Sequence, residues 1–263
     1  MNSILITGAG SGIGAAVAQR LSQRKGIRVL LLGRRLEALE QVRATMQTPD
    51  AHVVFSVDVS DSQALVVALE SEKAGLDNHP LTGVFANAGI GGGNQWGEDD
   101  RWEDIIRVNL TGTYNTLMVS RRFLDRSKGV KQVLVTSSVL ARFGVPGQSA
   151  YVTSKTGLLG LVRSLAVEWS PQGIMVNALC PGWVDTDMAR NSIQSMADAQ
   201  GMSFEECKVQ QEAILPSLRM TTPAEMAQWV DFVFSGLGEG EDGPRLATFT
   251  GQALDVNSGS WMG

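Results

Sequence analysis

Ser3-Ile4-Leu5-Ile6-Thr7-Gly8-Ala9-Gly10-Ser11-Gly12-Ile13-Gly14 stands almost at the start of a 263-residue chain, and its reading decides the fold. Ser3–Ile6 is a short apolar run of strand type. A glycine-rich turn follows, then a segment in which Ile13, Val17 and Leu21 recur at i, i+4 and i+8, the spacing of one helix face. A helix N-terminus reached through glycines is an anion site, because its first backbone N–H groups are free and the helix dipole favours negative charge. The glycines let a pyrophosphate approach the backbone and let the helix pack closely on the strand. Gly10-x-Gly12-x-x-Ala15 meets the generic dinucleotide fingerprint, inside the fuller pattern T-G-x-x-x-G-x-G of Thr7–Gly14. Gly8, Ser11, Gly12, Ile13 and Gly14 are therefore candidate nucleotide contacts. The alternative is a plain loop in a chain with 29 glycines.

Outward from this stretch, strand-type runs and helical patterns alternate. Arg28–Leu32, Val53–Val57, Val84–Ala86, Val133–Thr136, Met175–Leu179 and Phe249–Val256 read as strands. Between them lie helical patterns over Leu36–Met46 (stopped by Pro49), from near Asp61, over Trp102–Leu124, over Tyr151–Ser170 and over Pro223–Phe234. With no repeat and no linker, this alternation implies one α/β domain over 1–263: a doubly wound parallel β-sheet of the Rossmann type, with helices on both faces. Asp187–Leu215 breaks the rhythm, being helical and Met-rich, and is expected to form a small helical substrate lid. Met188, Met196 and Met202 could line an adaptable apolar pocket; a surface helical hairpin packed on the body is the other reading. Gly236–Gly243 reads as an acidic, glycine-rich turn.

Composition excludes several classes of function. The chain is 43% hydrophobic and 19% charged, enough to bury a full core, and its net charge of −5 without long like-charged blocks argues against nucleic acid or an anionic membrane as partner. No uninterrupted apolar run reaches the length of a membrane span. Only two cysteines, Cys180 and Cys207, and no Cys–His cluster argue against a disulfide framework or a metal site. A reducing, cytoplasmic setting is expected.

The carboxyl ends of the predicted strands carry the remaining candidates, as ligands bind there in open α/β sheets. After the second strand, Gly33 occupies the place where an acidic residue would favour NAD, and Arg34 and Arg35 follow. A guanidinium suits a ribose 2′-phosphate, so NADP(H) is favoured and NAD(H) remains possible. The competing reading pairs these arginines with Glu37 or Glu40 on a surface helix. Asp58, followed by Val59, could accept from an adenine amino group or cap the helix near Asp61. Asn87-Ala88-Gly89 is small enough for close approach to a ligand, with Asn87 bracing the turn. Gly91–Gly93 and Gly97 make a mobile loop that could bring Trp96 to a pocket. Asn109 is out of place inside a helix, since its amide competes for backbone groups, which points to a function, a kink or a tolerated surface position. Tyr151 and Lys155 lie one helical turn apart, so the ammonium would lower the phenol pKa and make Tyr151 a general acid or base; Ser138 could hold a substrate oxygen. Alone, such a pair is also a common solvated one.

Together, Thr7–Gly14, Asn87-Ala88-Gly89, Asn109, Ser138 and Tyr151-x-x-x-Lys155 resemble the short-chain dehydrogenase/reductase family over essentially the whole chain. The resemblance implies that Asn109, Ser138, Tyr151 and Lys155 form a catalytic tetrad, in which Tyr151 passes the proton and Ser138 orients the carbonyl. Lys155 also binds the nicotinamide ribose, and Asn109 holds a water in a proton relay. It implies that Asp58 and Val59 contact adenine, and that Pro181, Gly182, Val184 and Thr186 lie on the nicotinamide side. It further implies a homo-oligomer, a tetramer or dimer. The last strand departs from the family's usual Asp-Gly-Gly, reading Asp255-Val256-Asn257-Ser258-Gly259. The 187–215 segment is similar to the lid of members that reduce acyl ketones. The expected activity is reversible hydride transfer between NADP(H) and a ketone or secondary alcohol, an acyl ketone such as a 3-oxoacyl group. Arg142, Phe143, Val145, Gln148 and Trp183 are pocket candidates, and Arg142 could meet a carboxylate or a phosphate-bearing carrier. Two alternatives are an NAD-dependent catabolic secondary-alcohol dehydrogenase and a non-catalytic NAD(P)-binding sensor. A lyase or an interaction protein on the same scaffold accounts less well for these spacings.

Overall fold

The computed structural model describes residues 1–125, 129–235 and 246–263, and the expected turn at 236–243 lies outside them. The described residues form a seven-stranded sheet, all neighbours parallel, in the order β3-β2-β1-β4-β5-β6-β7. The strands are β1 (Asn2–Thr7), β2 (Ile27–Gly33), β3 (Val53–Ser56), β4 (Leu81–Ala86), β5 (Lys131–Thr136), β6 (Ile174–Pro181) and β7 (Ala253–Val256). Connections run through α1 (Gly12–Ser22), α2 (Leu36–Ala44), α3 (Ser62–Ser71), α4 (Lys73–Asn78), α5 (Trp102–Ile106), α6 (Gly112–Arg121) and α7 (Ser149–Trp169). After β6 come α8 (Asp187–Gln200), α9 (Phe204–Ala213) and α10 (Pro223–Val233).

Two apolar cores sandwich the sheet, and the period-2 geometry of the strands feeds both. Leu5, Leu30 and Leu32 point to the face covered by α3, α6 and α7, where Leu65, Leu117, Leu158 and Val162 meet them. Ile4, Ile6, Val29 and Leu31 point to the other face, against Val17 and Leu21 of α1 and Met226, Val230 and Val233 of α10. Because both faces are covered, these strands read as continuous apolar runs rather than alternating ones.

Two elements differ from expectation. The last strand begins at Ala253 instead of Phe249, because side chains replace the ladder there: the Thr250 hydroxyl accepts from Val176 N–H, and the Asn177 amide bridges Phe249 C=O and Gln252 N–H. The 187–215 segment is a helical hairpin, α8 and α9, turned at Gly201 in the left-handed region (φ +65°). It has a small core of its own, Ile193, Ala197, Cys207 and Met220, into which Met196, Met202 and Trp183 pack. These two methionines and Trp183 pack, half-buried, on the hairpin's core, whereas Met188 packs over Gly91.

His52 ties β2 to the segment before β3. Its Nδ1 accepts from Val29 N–H at 3.0 Å and its Nε2 lies 2.8 Å from the Gln47 carbonyl, so the buried ring sits neutral. Burial, which outweighs the Gln47 contact, pushes its pKa below the ordinary 6.5. A folded-state pKa depressed in this way contributes stability that is complete above the unfolded value and lost as pH falls below it. Lowering the pH from about 7.5 to about 5.5 should therefore reduce the urea midpoint more in the wild type than in His52→Gln, measured by circular dichroism.

Candidate active site

The site begins at a knot of hydrogen bonds joining the carboxyl ends of three adjacent strands. Thr7 Oγ1, at the end of β1, accepts from the N–H groups of Asn87 and Ala88 just past β4, both at 3.0 Å. Asn87 returns its amide to the Thr7 carbonyl at 3.2 Å and accepts from Thr136 Oγ1 of β5 at 3.0 Å. Asn87 thus braces the turn as expected.

The glycine turn lies against this knot. Gly8 (φ +67°) and Gly12 (φ +53°) adopt conformations that a side chain rarely takes. A Cβ at Gly14 would overlap the Gly8 carbonyl oxygen, and one at Gly8 would stand 3.0 Å from the Ala88 Cα. Gly12 faces Thr186, whose Cγ2 would lie 3.1 Å from such a Cβ. Ser11 stands at the N-cap of α1 without a side-chain capping bond, so the first N–H groups, at Gly12, Ile13 and Gly14, are offered to an anion. The cleft running from here is lined by Gly8, Ser11, Arg34, Arg35, Asp58 and Val59, and by Ala88 and Gly89 at its other end. These residues suit a dinucleotide: a glycine cradle for pyrophosphate, with a polar adenosine end.

At that end, Arg34 and Arg35 are exposed, and neither lies in an ion pair among the described residues; Glu40 pairs with Arg43 instead. Arg35 reaches Ser11 Oγ at 3.4 Å. Helix α3 is capped by Asp61, which accepts from Ala64 N–H at 2.9 Å, so Asp58 is not needed as its cap. One Asp58 oxygen accepts from Ser60 N–H and hydroxyl. Burial works to raise this carboxyl, but the Ser60 bonds, with Arg34 and Arg107 adding, hold it below the usual range.

Beyond Gly89 the cleft reaches the second cluster. Asn109 sits in a π-helical turn, Arg107–Thr111, between α5 and α6. Its fully buried amide serves other segments: Oδ1 accepts from Ile90 N–H at 2.8 Å, and Nδ2 donates to Ile90 C=O at 3.0 Å and Ser154 Oγ at 3.3 Å. The expected uninterrupted helix therefore carries a one-residue widening where its misfit residue stands, as helices often do at functional sites. Lys155 is buried and donates to the Thr136 carbonyl at 2.9 Å, while Ser137 Oγ donates to the Lys155 carbonyl at 2.8 Å. Ser138 caps the short turn after β5, accepting from Leu140 N–H at 3.1 Å. A Cβ at Gly89 would lie 3.2 Å from Asn109 Oδ1 and 3.5 Å from Lys155 Nζ, so this glycine leaves the close approach open.

The electrostatics correct one expectation. Lys155 does not draw the Tyr151 phenol down: its Nζ lies 5.6 Å from the ring centroid and is turned to the Thr136 carbonyl. Burial raises the phenol above 10, opposed only by a hydrogen bond with Ser138, and lowers Lys155 to about 8. At neutral pH the cluster holds a protonated phenol beside an ammonium.

Other candidates are placed differently. Arg142 is not free for a substrate anion: it grips Asp255 through two bonds of 3.2 and 2.9 Å and stacks on Trp261 at 4.9 Å. Trp96 is 95% exposed and lines nothing. Phe143 and Val145 are partly exposed between Ser138 and Tyr151, and Gln148 takes the N-cap position of α7. Pro181 ends β6, and Gly182 lies so close to the Asn257 carbonyl that a Cβ would stand 2.7 Å away. Asn257, in place of the usual glycine, organises the C-terminal turn by accepting from Gly259 and Trp261 N–H. Val184 bridges to Thr221, and Thr186 caps α8 at 3.4 Å. Residues that sequence reasoning did not single out also build the site: Ile90 acts through its backbone N–H and C=O, and Thr136 through its carbonyl to Lys155 as well as its hydroxyl to Asn87. Among the described residues there is no cluster fit for a metal and no helix long and apolar enough to cross a membrane.

A dinucleotide cradle and a Ser–Tyr–Lys cluster on one rim of a parallel sheet are the outfit of an NAD(P)-dependent dehydrogenase/reductase. The chain belongs to the short chain dehydrogenase family, whose sequence profile matches residues 2–197. It is 30% identical to the 3-oxoacyl-(acyl-carrier-protein) reductase MabA of Mycobacterium tuberculosis, over 99% of this chain and 93% of that protein. It is 34% identical to levodione reductase of Leifsonia aquatica, over 88% and 86%. Among solved structures it superposes on a single-substitution variant of actinorhodin polyketide ketoreductase with NADPH, with a TM-score of 0.85 and 29% identity, over 98% of this chain and 97% of that one.

The packing at Gly14 admits no side chain, because backbone rather than a movable group would be struck. Gly14→Ala should cost about 1–3 kcal/mol, the range for overpacking a filled site, read as a lower urea midpoint and a lower Tm.

Proposed function

We propose that the protein reduces an acyl ketone, of the 3-oxoacyl class, with NADP(H), the reaction being reversible. The observation that carries this reading is the placement of a protonated, half-buried Tyr151 beside Ser138 and Lys155 on the same rim as the glycine cradle. The cofactor supplies or takes up the hydride. Ser138 Oγ orients the carbonyl oxygen, and Tyr151 gives it the proton. A phenol raised by burial keeps that proton at neutral pH, which suits an acid in the reductive direction. Lys155 adds positive charge below about pH 8 and contributes to binding the ribose. Asn109, with its amide hydrogens committed to Ile90 and Ser154, holds the Gly89–Ile90 turn against α7. Pro181, Gly182, Val184 and Thr186 border the nicotinamide end, and Asp58 and Val59 the adenine.

Two features support the finer choices. Arg34 and Arg35 line the same cleft as Asp58 and make no ion-pair contact among the described residues, which favours a 2′-phosphate. Met188, Phe143 and Val145 leave apolar surface around the mouth of the cleft, which suits an acyl chain. The MabA and actinorhodin relatives are named for reactions of this type.

Tyr151→Phe should lower kcat for a 3-oxoacyl thioester by about 10²–10⁴-fold while NADPH still binds, measured by initial rates and fluorescence titration. Retained turnover would remove the phenol from the mechanism. The wild type should show higher kcat/KM with NADPH than with NADH, and replacing Arg34 and Arg35 together by alanine should erase most of that preference by raising KM for NADPH alone. An NADH preference in the wild type would make both arginines surface residues of α2.

A further inference from the structure

Helix α7 carries Tyr151 and Lys155, yet its own N-cap residue does not cap it. Gln148 makes no side-chain bond to the first turn. Uncapped N–H groups at a helix start need an acceptor, and here it comes from a distant segment. Asn94, in the glycine-rich loop after β4, accepts through Oδ1 from Ala150 N–H at 2.8 Å and from Ser149 Oγ at 3.1 Å. Its own backbone N–H donates to the Gly147 carbonyl at 2.9 Å, and Gly93 lies so close to that carbonyl that a Cβ would stand 2.9 Å away. Its Nδ2 donates to Asp100 at 3.3 Å, and the same Asp100 oxygen accepts from Trp102 N–H, the first residue of α5. One side chain therefore joins the first turn of α7, immediately before Tyr151, to the start of the helix that leads into Asn109.

We propose that Asn94 is a positioning residue for Tyr151: a cap supplied across the mouth of the cleft that makes the 91–97 loop and the first turn of α7 a single unit. The proposal rests on Tyr151 being the proton donor. Asn is suited to the task because its amide oxygen satisfies the helix end without adding charge. A carboxylate there would keep the capping oxygen but would lose the donor to Asp100 and oppose ionisation of a phenol in the same turn. The charged or titratable groups around this turn are Lys155 on α7, Asp100 and Arg101 in the loop, and the Cys180 thiol of β6, which faces Lys155. Arg101 is turned to the Gly91 carbonyl at 3.1 Å.

The experiment compares Asn94→Ala, Asn94→Asp and Tyr151→Phe in ketone reduction with NADPH, recording kcat against pH, the NADPH dissociation constant and Tm. Asn94→Ala should lower kcat about 5- to 10-fold, the scale of one lost cap, while NADPH affinity changes by less than about twofold. Asn94→Asp keeps the capping oxygen but sets a carboxylate against Asp100, so it should lower Tm while carrying the alkaline limb of the kcat profile to higher pH, a movement that a merely structural cap would not produce. If Asn94→Ala fails to fold, that limb in Asn94→Asp decides alone. Loss of turnover in Tyr151→Phe together with wild-type kcat and pH profiles in both Asn94 variants would overturn the assignment of Asn94. Full turnover in Tyr151→Phe would instead overturn the proton-donor reading, and this one with it.

Discussion

The bonds among Thr7, Asn87 and Thr136 are the constraint on which the rest depends. A parallel sheet aligns its strands but leaves their carboxyl ends as separate loops, each free to wander. Here one hydroxyl and one amide tie three of those ends together, on strands adjacent in the sheet and far apart in sequence. On one side of the knot lies the glycine turn; on the other, the Thr136 carbonyl receives the Lys155 ammonium. The glycine turn and the Ser–Tyr–Lys cluster are therefore held in one frame. Thr7 is buried and Asn87 and Thr136 are half-buried, each with partners, so displacing any of them would leave polar atoms short of compensation.

The same burial sets the chemistry. Lys155, Asn109 and Ser138 are all buried, and each has its hydrogen-bonding partners. Low exposure disfavours charge, raising the phenol and lowering the ammonium, and the result is a proton stored on Tyr151 beside a cation. Specific contacts decide the balance elsewhere. At Asp58 the Ser60 bonds overcome the burial penalty and keep the carboxylate charged at the adenosine end. Asp58, after β3, and Tyr151 and Lys155, on α7, thus hold opposite ionisation tendencies.

Much of this was legible in the chain. The strand–glycine–helix stretch, the alternation of elements and the spacing of Tyr151 and Lys155 are local patterns, and local geometry carries them into the fold. Asn109 is instructive in another way. It was visible as a residue at odds with its helix, and the π-helical turn is the physical form of that conflict. What escaped was anything decided by a partner from elsewhere. Arg142 could be read as meeting a substrate anion until Asp255 and Trp261 closed on it, and only the fold shows that Met196 and Met202 pack on the hairpin's own core. Asn94 gave no sign at all, because the turn it caps lies more than fifty residues along the chain.

The amino-acid sequence by itself determined the layered α/β architecture, the glycine turn between β1 and α1 and the residue types at the carboxyl ends of the strands. These follow from hydrophobic period, glycine placement and one-turn helix spacing, which act over a few residues. Only the tertiary structure decided which polar groups are spent on one another and which remain for a ligand, and how far burial moves their protons. Those outcomes depend on what packs against each side chain, and the packing partners come from strands and loops that only the folded sheet brings together.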